Sequence, residues 1–365
     1  MVRAEEVTKC IEQLAPLSLA EAWDNVGWQV GDPAAPVKRV LIGLGYSPAV
    51  LQEALLQKAD LIITHHPFIF QPLRQLRYDR YPGSWLRELV QEGIMLYAAH
   101  TNLDNASVGI SQALGERLGL QQLQVFGSKQ AEKLFKLVVF VPQGHEDEVR
   151  QAVSEAGAGW IGNYSHCTFQ LLGTGTFLPR EGTSPFIGQS GRLEKVAEYR
   201  LETIISEAKL SPVLHAMRET HPYEEVAYDL YPLQQTGRQF GPGRIGLLPG
   251  PHRLVELVER VKQGLRVPVV RVHGDLDQYV EKVAVCGGSG AFLVASAVAQ
   301  GAQVLITGDV KYHEAQEAVN HGLAIIDAGH AATEFPGVEF LAAYLQEKLP
   351  GVQFSVFPLT LENTL

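Results

Sequence analysis

Asp60-Leu61-Ile62-Ile63-Thr64-His65-His66-Pro67 is a short aliphatic run that stops at two histidines and a proline. A continuous apolar run of this length, bounded by polar and turn residues, fits a strand buried on both faces. The residues on either side extend the pattern. Val37–Leu44 reads as another buried strand, and Ser47-Pro48 as an N-cap with proline at the first helical position. That helix is predicted to run to about Lys58. Downstream come a helix at Trp85–Gln91, a strand at Ile94–Ala99 and a helix at Ser107–Leu118. Strands alternating with helices predict an α/β layered module.

The last third repeats this grammar. A helix at Leu254–Gly264 precedes strands at Val283–Cys286, Val304–Thr307 and Leu323–Ile326. Helices at Ala291–Gln300, Lys311–Asn320 and Val338–Glu347 separate or follow them. The middle reads differently. A strand at Phe135–Val141, a helix at Glu146–Ala156, strands at Cys167–Phe177 and Val196–Ile205, a helix at Pro212–Glu219 and a strand at Val226–Tyr231 give the order β-α-β-β-α-β of a ferredoxin-like unit. Its flanks, Gly127-Ser128-Lys129-Gln130 and the glycine-rich Gln234–Gly246, read as turns. The expected organisation is therefore a discontinuous α/β module, residues 1–129 and 236–365, interrupted by an inserted domain at 130–235.

Bulk properties narrow the function classes. A chain of 365 residues with 46% apolar and 19% charged residues builds a sizeable core. A net charge of −10 argues against a broad nucleic-acid-binding surface. Cys10, Cys167 and Cys286 lie far apart with no CxxC pair, so neither a disulfide framework nor a zinc finger is expected. A reducing compartment, hence a cytoplasmic location, fits this usage. The N-terminal stretch carries Glu5, Glu6 and Glu12 without an apolar segment, and no window resembles a membrane span.

The polar residues sit where an α/β enzyme gathers its chemistry. Leu96–Ala99 leads into His100-Thr101-Asn102-Leu103-Asp104; Val304–Thr307 into Gly308-Asp309; Ala324–Asp327 into Ala328-Gly329-His330 and then Glu334. With the His65-His66 strand, four strand patterns deliver polar groups past their C-terminal ends, where open α/β sheets bind ligands. His65 and His66 leave one strand as neighbours, so their rings diverge and can serve adjacent ions. His330 and Glu334, four apart, share one face if a helix begins there. A carboxylate can bridge two ions roughly 3.5–4 Å apart. His65, His66, Asp104, His330 and Glu334 shared by two divalent ions would leave coordination positions open, as catalytic sites do. The N/O donor set fits zinc, iron, manganese or cobalt alike.

Other positions have two readings. Asp309 and His313, four apart, suit either support and proton transfer behind the metal site or a helix cap beside a surface histidine. His100 suits the same supporting role or a satisfied core position. Cys286-Gly287-Gly288-Ser289-Gly290 could hold a phosphate on its N–H groups or make a tight strand-to-helix turn. His221-Pro222-Tyr223-Glu224-Glu225 is a small-ligand corner or a loop closing helix onto strand.

At these residues the sequence resembles the Nif-three-like dinuclear metal-centre family, whose members carry the name GTP cyclohydrolase 1 type 2 homologue. The matching stretches are Trp23-Asp24-Asn25-Val26-Gly27, Thr64–Pro67, His100–Asp104, Gly287–Gly290, Thr307-Gly308-Asp309 and Asp327–Glu334. Gly162–Cys167, Gly173–Phe177 and His221–Val226 match its longer bacterial form, whose insert resembles the trimeric PII and CutA folds. The resemblance implies a homo-oligomer, a toroidal hexamer with metal centres facing an internal cavity, and ligation by His65, His66, Asp104, His330 and Glu334. One departure is that the family often has an acid where this chain reads Leu44-Gly45-Tyr46. The implied activity is a metal-dependent hydrolase, with GTP cyclohydrolase-like attack of water on an electrophilic carbon such as purine C8 as the named candidate. There Glu334 or Asp104 would bridge the ions and His313 or His100 would shuttle a proton. A dinuclear phosphoesterase would use the same parts on a phosphoester. A non-catalytic metal-loaded regulator, its PII-like insert sensing a small ligand or partner, is the alternative class.

Overall fold

The computed structural model describes residues 1–127 and 130–359. The chain divides into two compact units, Met1–Gln130 with Phe240–Leu365, and Ala131–Gln239. Ser128 and Lys129 of the first expected flanking turn lie outside the described residues.

The larger unit holds two sheets. The first orders its strands Gly27–Val30, Met95–Ala98, Leu61–Thr64, Arg39–Gly43 and Gln353–Val356. All run parallel except Gly27–Val30, which pairs antiparallel at one edge. The aliphatic runs are continuous because both faces are covered. Val40, Ile42, Leu61, Ile63 and Tyr97 pack with Val7 and Ile11 of helix Ala4–Leu14 and Val338, Leu341 and Leu345 of helix His330–Lys348. Leu41, Ile62 and Leu96 turn the other way, onto Val50, Leu51 and Ala54 of helix Pro48–Gln57 and Leu89 of helix Gly83–Gln91. The Ser47 side chain accepts from the Val50 N–H, as its cap position requires.

The second sheet orders Arg271–His273, Ala324–Asp327, Val304–Gly308, Tyr279–Ser289, Gly243–Arg253 and Gln121–Phe126. Its central three strands are parallel and the others antiparallel. Val283, Val285, Val304, Ile306 and Ile326 meet helix Leu254–Leu265, while Ala284, Leu305 and Ile325 meet Val294–Ala299 and Tyr312–Asn320. The C-terminal helix is a wall shared by both cores: Ala332 belongs to this one, and Val338 to Leu345 to the first. It begins at His330, eight residues before its expected start, with Pro336 inside.

The glycine-rich Gln234–Gly246 is not a turn cluster. Strands Tyr228–Phe240 and Gly243–Arg253 occupy it, with only Gly241-Pro242 between. Glycine serves close packing there, since a Cβ on Gly243 would strike the Phe126 ring and one on Gly246 would meet the Gln121 carbonyl at 2.8 Å.

The smaller unit contains strands Gln130–Pro142, Thr168–Phe177, Glu194–Ser206 and Tyr228–Phe240, with helices Glu146–Glu155 and Leu210–Thr220. In the sheet the second strand neighbours the third, the third the first, and the first the fourth. Leu137, Val139, Leu201 and Ile205 pack with Val149, Val153, Val213 and Met217 of the two helices. His221 closes this arrangement: its Nε2–H donates to the Phe140 carbonyl at 3.0 Å, and its Nδ1 accepts from the Tyr223 N–H at 3.1 Å. Both ring nitrogens are thereby used, which assigns this corner to loop closure. No helix among the described residues is long and apolar enough to cross a membrane.

Candidate metal centre

Four parallel strand ends of the larger unit deliver its histidines and acids to one place. His65 and His66 leave strand Leu61–Thr64 with their N–H groups on the Gly43 and Leu44 carbonyls, while the Thr64 hydroxyl donates to the His66 carbonyl. His100 follows strand Met95–Ala98, and Asp104 rides on the single turn Thr101–Asn105. The Asn102 and Asn105 amides pin that turn to the Ala15 and Leu19 carbonyls. From the second sheet come Asp309, just past strand Val304–Gly308, and His330 with Glu334 on the first turns of the C-terminal helix.

Glu334 is buried in the middle of the group. Its Oε1 lies 3.0 Å from His330 Nε2 and 3.5 Å from His65 Nε2; its Oε2 lies 3.1 Å from His66 Nε2. Asp104 Oδ1 is 3.5 Å from His65 Nε2, and the Nε2 atoms of His66 and His330 are 3.4 Å apart. Two sets of donor atoms each fit within 4.8 Å: His65, His66 and His100, and His66, His330 and Glu334. All five residues read from the sequence as ligands therefore converge, and His100 joins them. His313 does not. It is exposed on helix Tyr312–Asn320, its ring 5.3 Å from Tyr312.

The tautomers follow from what each Nδ1 touches. His65 Nδ1 faces the Ala99 carbonyl at 2.8 Å, and a carbonyl can only accept, so Nδ1 keeps its proton and Nε2 is the nitrogen that bears the lone pair once the ring is neutral. His100 Nδ1 meets Asp24 Oδ1 at 2.9 Å, and His330 Nδ1 meets Asp309 Oδ2 at 2.6 Å. In three histidines, then, a fixed acceptor behind Nδ1 makes Nε2 the nitrogen that a metal would use, which is how proteins orient metal-ligating imidazoles. Asp24 also accepts from the Thr101 N–H at 3.1 Å, and Asp309 from the Ser289 hydroxyl at 2.8 Å.

Electrostatics record a crowd of like and unlike charges. Burial alone would lower the His65 imidazolium, but the Asp104 and Glu334 carboxylates outweigh it and raise it to about 9. His330 is raised to about 9, first by its hydrogen bond to Glu334, against burial. Burial holds His66 below its usual value and pushes Asp104 up to about 6. For Glu334 burial acts upward, yet the surrounding histidines win and hold the carboxyl well below its usual range. Asp24 falls to about 2: burial acts upward here too, but the bonds from His100 and Thr101 prevail.

Metal fit is tested by what stays unsatisfied. His65 Nε2 and Glu334 Oε2 are buried without a hydrogen bond of acceptable geometry, although His66 Nε2 is 3.1 Å from that oxygen. Buried polar atoms without a partner are costly, and a cation held by the deprotonated His65 Nε2 and by Glu334 Oε2 would satisfy both. The residues present fit a divalent ion.

The glycine motif serves this cluster by yielding space. Gly288 has φ +65°, and a Cβ there would lie 2.5 Å from Glu334 Oε1; a Cβ on Gly308 would lie 2.5 Å from the His330 nitrogen. The phosphate reading of Cys286–Gly290 fails on donor accounting. The Gly287, Gly288 and Gly290 N–H groups are already given to Ser111, Thr333 and Thr307 hydroxyls. Asp24 is a functional residue that the sequence pattern alone does not mark. It stands as an acid between Trp23 and Asn25, which spacing cannot connect to a histidine 76 residues away. At Leu44-Gly45-Tyr46, Tyr46 turns into the core against Phe68 and Trp85.

The profile of Duf34/NIF3 (NGG1p interacting factor 3) matches residues 2–364. The chain is 45% identical over 330 residues to a protein of Halalkalibacterium halodurans named GTP cyclohydrolase 1 type 2 homolog, covering 90% of this chain and 89% of that one. A Bacillus subtilis protein of the same name is 42% identical over 331 residues, with 91% and 89% covered. Among solved structures, a Bacillus cereus protein related to NIF3 superposes with a TM-score of 0.93 at 42% identity, covering 100% of this chain and 99% of that one. The fold, the cluster's motifs and these matches agree, and the chain belongs to the Duf34/NIF3 family.

Proposed function

We propose that this protein holds two divalent metal ions and is a metal-dependent hydrolase, with GTP cyclohydrolase-like chemistry as the first candidate. The observation that carries this reading is that the His65, His66 and His330 Nε2 atoms converge on buried Glu334 while two buried polar atoms of the cluster lack a hydrogen-bond partner. In this reading His65, His66, Asp104, His330 and Glu334 would hold the ions, with Glu334, whose two oxygens face different histidines, shared between them. Two ions held there would supply Lewis acidity and nucleophilic water near neutral pH.

The chain's own residues divide the remaining work. Asp309 orients His330 through the 2.6 Å bond to Nδ1. Asp24 does the same for His100, whose Nε2 remains available to take or deliver a proton beside the cluster. Asp309 therefore acts through His330, and exposed His313 has no part. The relatives' name supports nucleotides as the first substrates to try. A hexameric assembly belongs to the same proposal, and light scattering should give six chain masses.

Elemental analysis after reloading tests the metal reading, and one ion or fewer per chain overturns it. A screen of nucleotides and phosphoesters, with and without chelator, tests the activity. Chelator-sensitive release of formate from GTP supports the cyclohydrolase form, and phosphoester cleavage the phosphoesterase form. Two ions without turnover would favour a metal-loaded regulator.

A further inference from the structure

Beside the metal cluster stands an aromatic pair that the fold does not use. Trp23 is 59% exposed and Phe70 46%. Their ring centroids are 5.9 Å apart and the planes tilt by 56°. Trp23 also meets the His100 ring edge-on at 6.2 Å. His100 in turn lies 5.1 Å from the His65 ring and 5.4 Å from that of His66. The indole is thus a single side chain removed from the proposed metal ligands. By contrast Trp28, on the neighbouring edge strand, packs against buried Tyr97 in the core.

The pair is held in place from below. Asp24, next to Trp23, accepts from His100 and from the Thr101 N–H. The Asn25 amide donates to the Ile69 carbonyl, and the Ile69 N–H to Gln29 Oε1 at 3.0 Å. The Gln29 amide returns to the Asn25 carbonyl at 2.9 Å. The segments bearing Trp23 and Phe70 are therefore tied to each other, and one of them to a histidine of the cluster. Two rings set at 56° cannot both stack on one flat molecule. A planar heterocycle stacked on one of them would meet the other by its edge, and both are favourable aromatic geometries.

We propose that Trp23 and Phe70 are a stacking platform for the base of a nucleotide substrate, placing it beside His100 and the metal ligands. The proposal deepens the metal-hydrolase reading and rests on it. A flat π-surface suits a base because every nucleobase has a π-face, whereas a sugar or an aliphatic phosphoester has none. It predicts that recognition resides partly in the base and not only in phosphate held at the metals.

The test compares GMP with ribose 5-phosphate, which lacks the base, by calorimetry on the full-length protein, zinc-loaded and again after EDTA treatment. GMP should bind more tightly than ribose 5-phosphate. Trp23→Ala should weaken GMP by roughly 5- to 150-fold, the range for losing one aromatic stacking partner of a base. The same variant should leave ribose 5-phosphate and zinc stoichiometry unchanged, and Trp23→Phe should restore most of the loss. Phe70→Ala is a second, independent variant and should show a smaller selective loss. Equal affinity for the two ligands, no detectable GMP binding, or a Trp23→Ala loss shared by both ligands overturns the platform. So does a Trp23→Ala change confined to molecular mass, which would make this face an interface between copies. Failure of the metal reading looks different: zinc would not bind at two ions per chain, while the GMP preference and its dependence on Trp23 would persist.

Discussion

Gly288→Ala should damage the site by volume alone, and the structure allows its cost to be separated into parts. Gly288 sits at φ +65°. An alanine in that left-handed region costs about 1–2 kcal/mol. Its Cβ would also lie 2.5 Å from Glu334 Oε1 and 3.3 Å from His330 Nε2. Glu334 cannot swing aside freely, because His330, His65 and His66 Nε2 atoms surround its oxygens at 3.0–3.5 Å. Overpacking of this kind adds about 1–3 kcal/mol, for a total of about 2–5 kcal/mol. Gly301→Ala is the matched control: φ is +72° there, with nothing within 4 Å of the added carbon. It should cost only the backbone share.

Urea unfolding of metal-free protein measures both variants. The transition to follow is that of the larger unit, which holds Trp23, Trp28 and Trp85, since a chain of two units need not unfold in one step. Metal titration against a chelator is the second readout. Displacing Glu334 should weaken binding by at least the ~10–100-fold that follows from disturbing a ligand's support, and Gly301→Ala should not change it. If Gly288→Ala costs no more than Gly301→Ala and retains two tight ions, the steric argument and the central place of Glu334 are both refuted.

Glu334→Gln keeps the side-chain volume but removes the charge that three histidines face, so it should weaken both ions, whereas His65→Ala should mainly weaken one; His313→Gln, on an exposed ring, should leave two. A chelator titration in which Glu334→Gln keeps two tight ions would remove the bridging assignment. With His65 and His330 at about 9 in the metal-free protein, both imidazoles carry protons at neutral pH and must lose them to ligate. Metal binding should therefore release about two protons and tighten as pH rises toward about 9, and calorimetry in buffers of different ionisation heat that finds no release contradicts this. Joining Gln130 to Phe240 by a short linker removes the smaller unit and none of the proposed ligands, so a folded deletion variant should still bind two ions by elemental analysis.

The sequence exposed the parts of this fold whose environment is uniform. Leu61-Ile62-Ile63 and Val304-Leu305-Ile306 are covered on both faces, so their burial is written as unbroken aliphatic runs. Edge and antiparallel strands carry no such mark: Gln121-Gln122-Leu123-Gln124 is mostly exposed, and Gly243-Arg244-Ile245-Gly246 spells a turn in a place where small residues admit a neighbouring strand. The proposed ligands obey the same logic. His65 with His66, and His330 with Glu334, are local pairs whose geometry one strand end or one helical turn determines. Spacing likewise offered Asp309 and His313 as a pair, but Asp309 precedes the helix at φ +56°. That backbone turns its carboxylate toward His330, 21 residues on, instead of along the helix. Asp24 and His100 are joined over a still longer interval. Adjacent residues can bring metal donors together, but each donor's tautomer is set by an acceptor behind its ring, and the tertiary fold alone selects that acceptor.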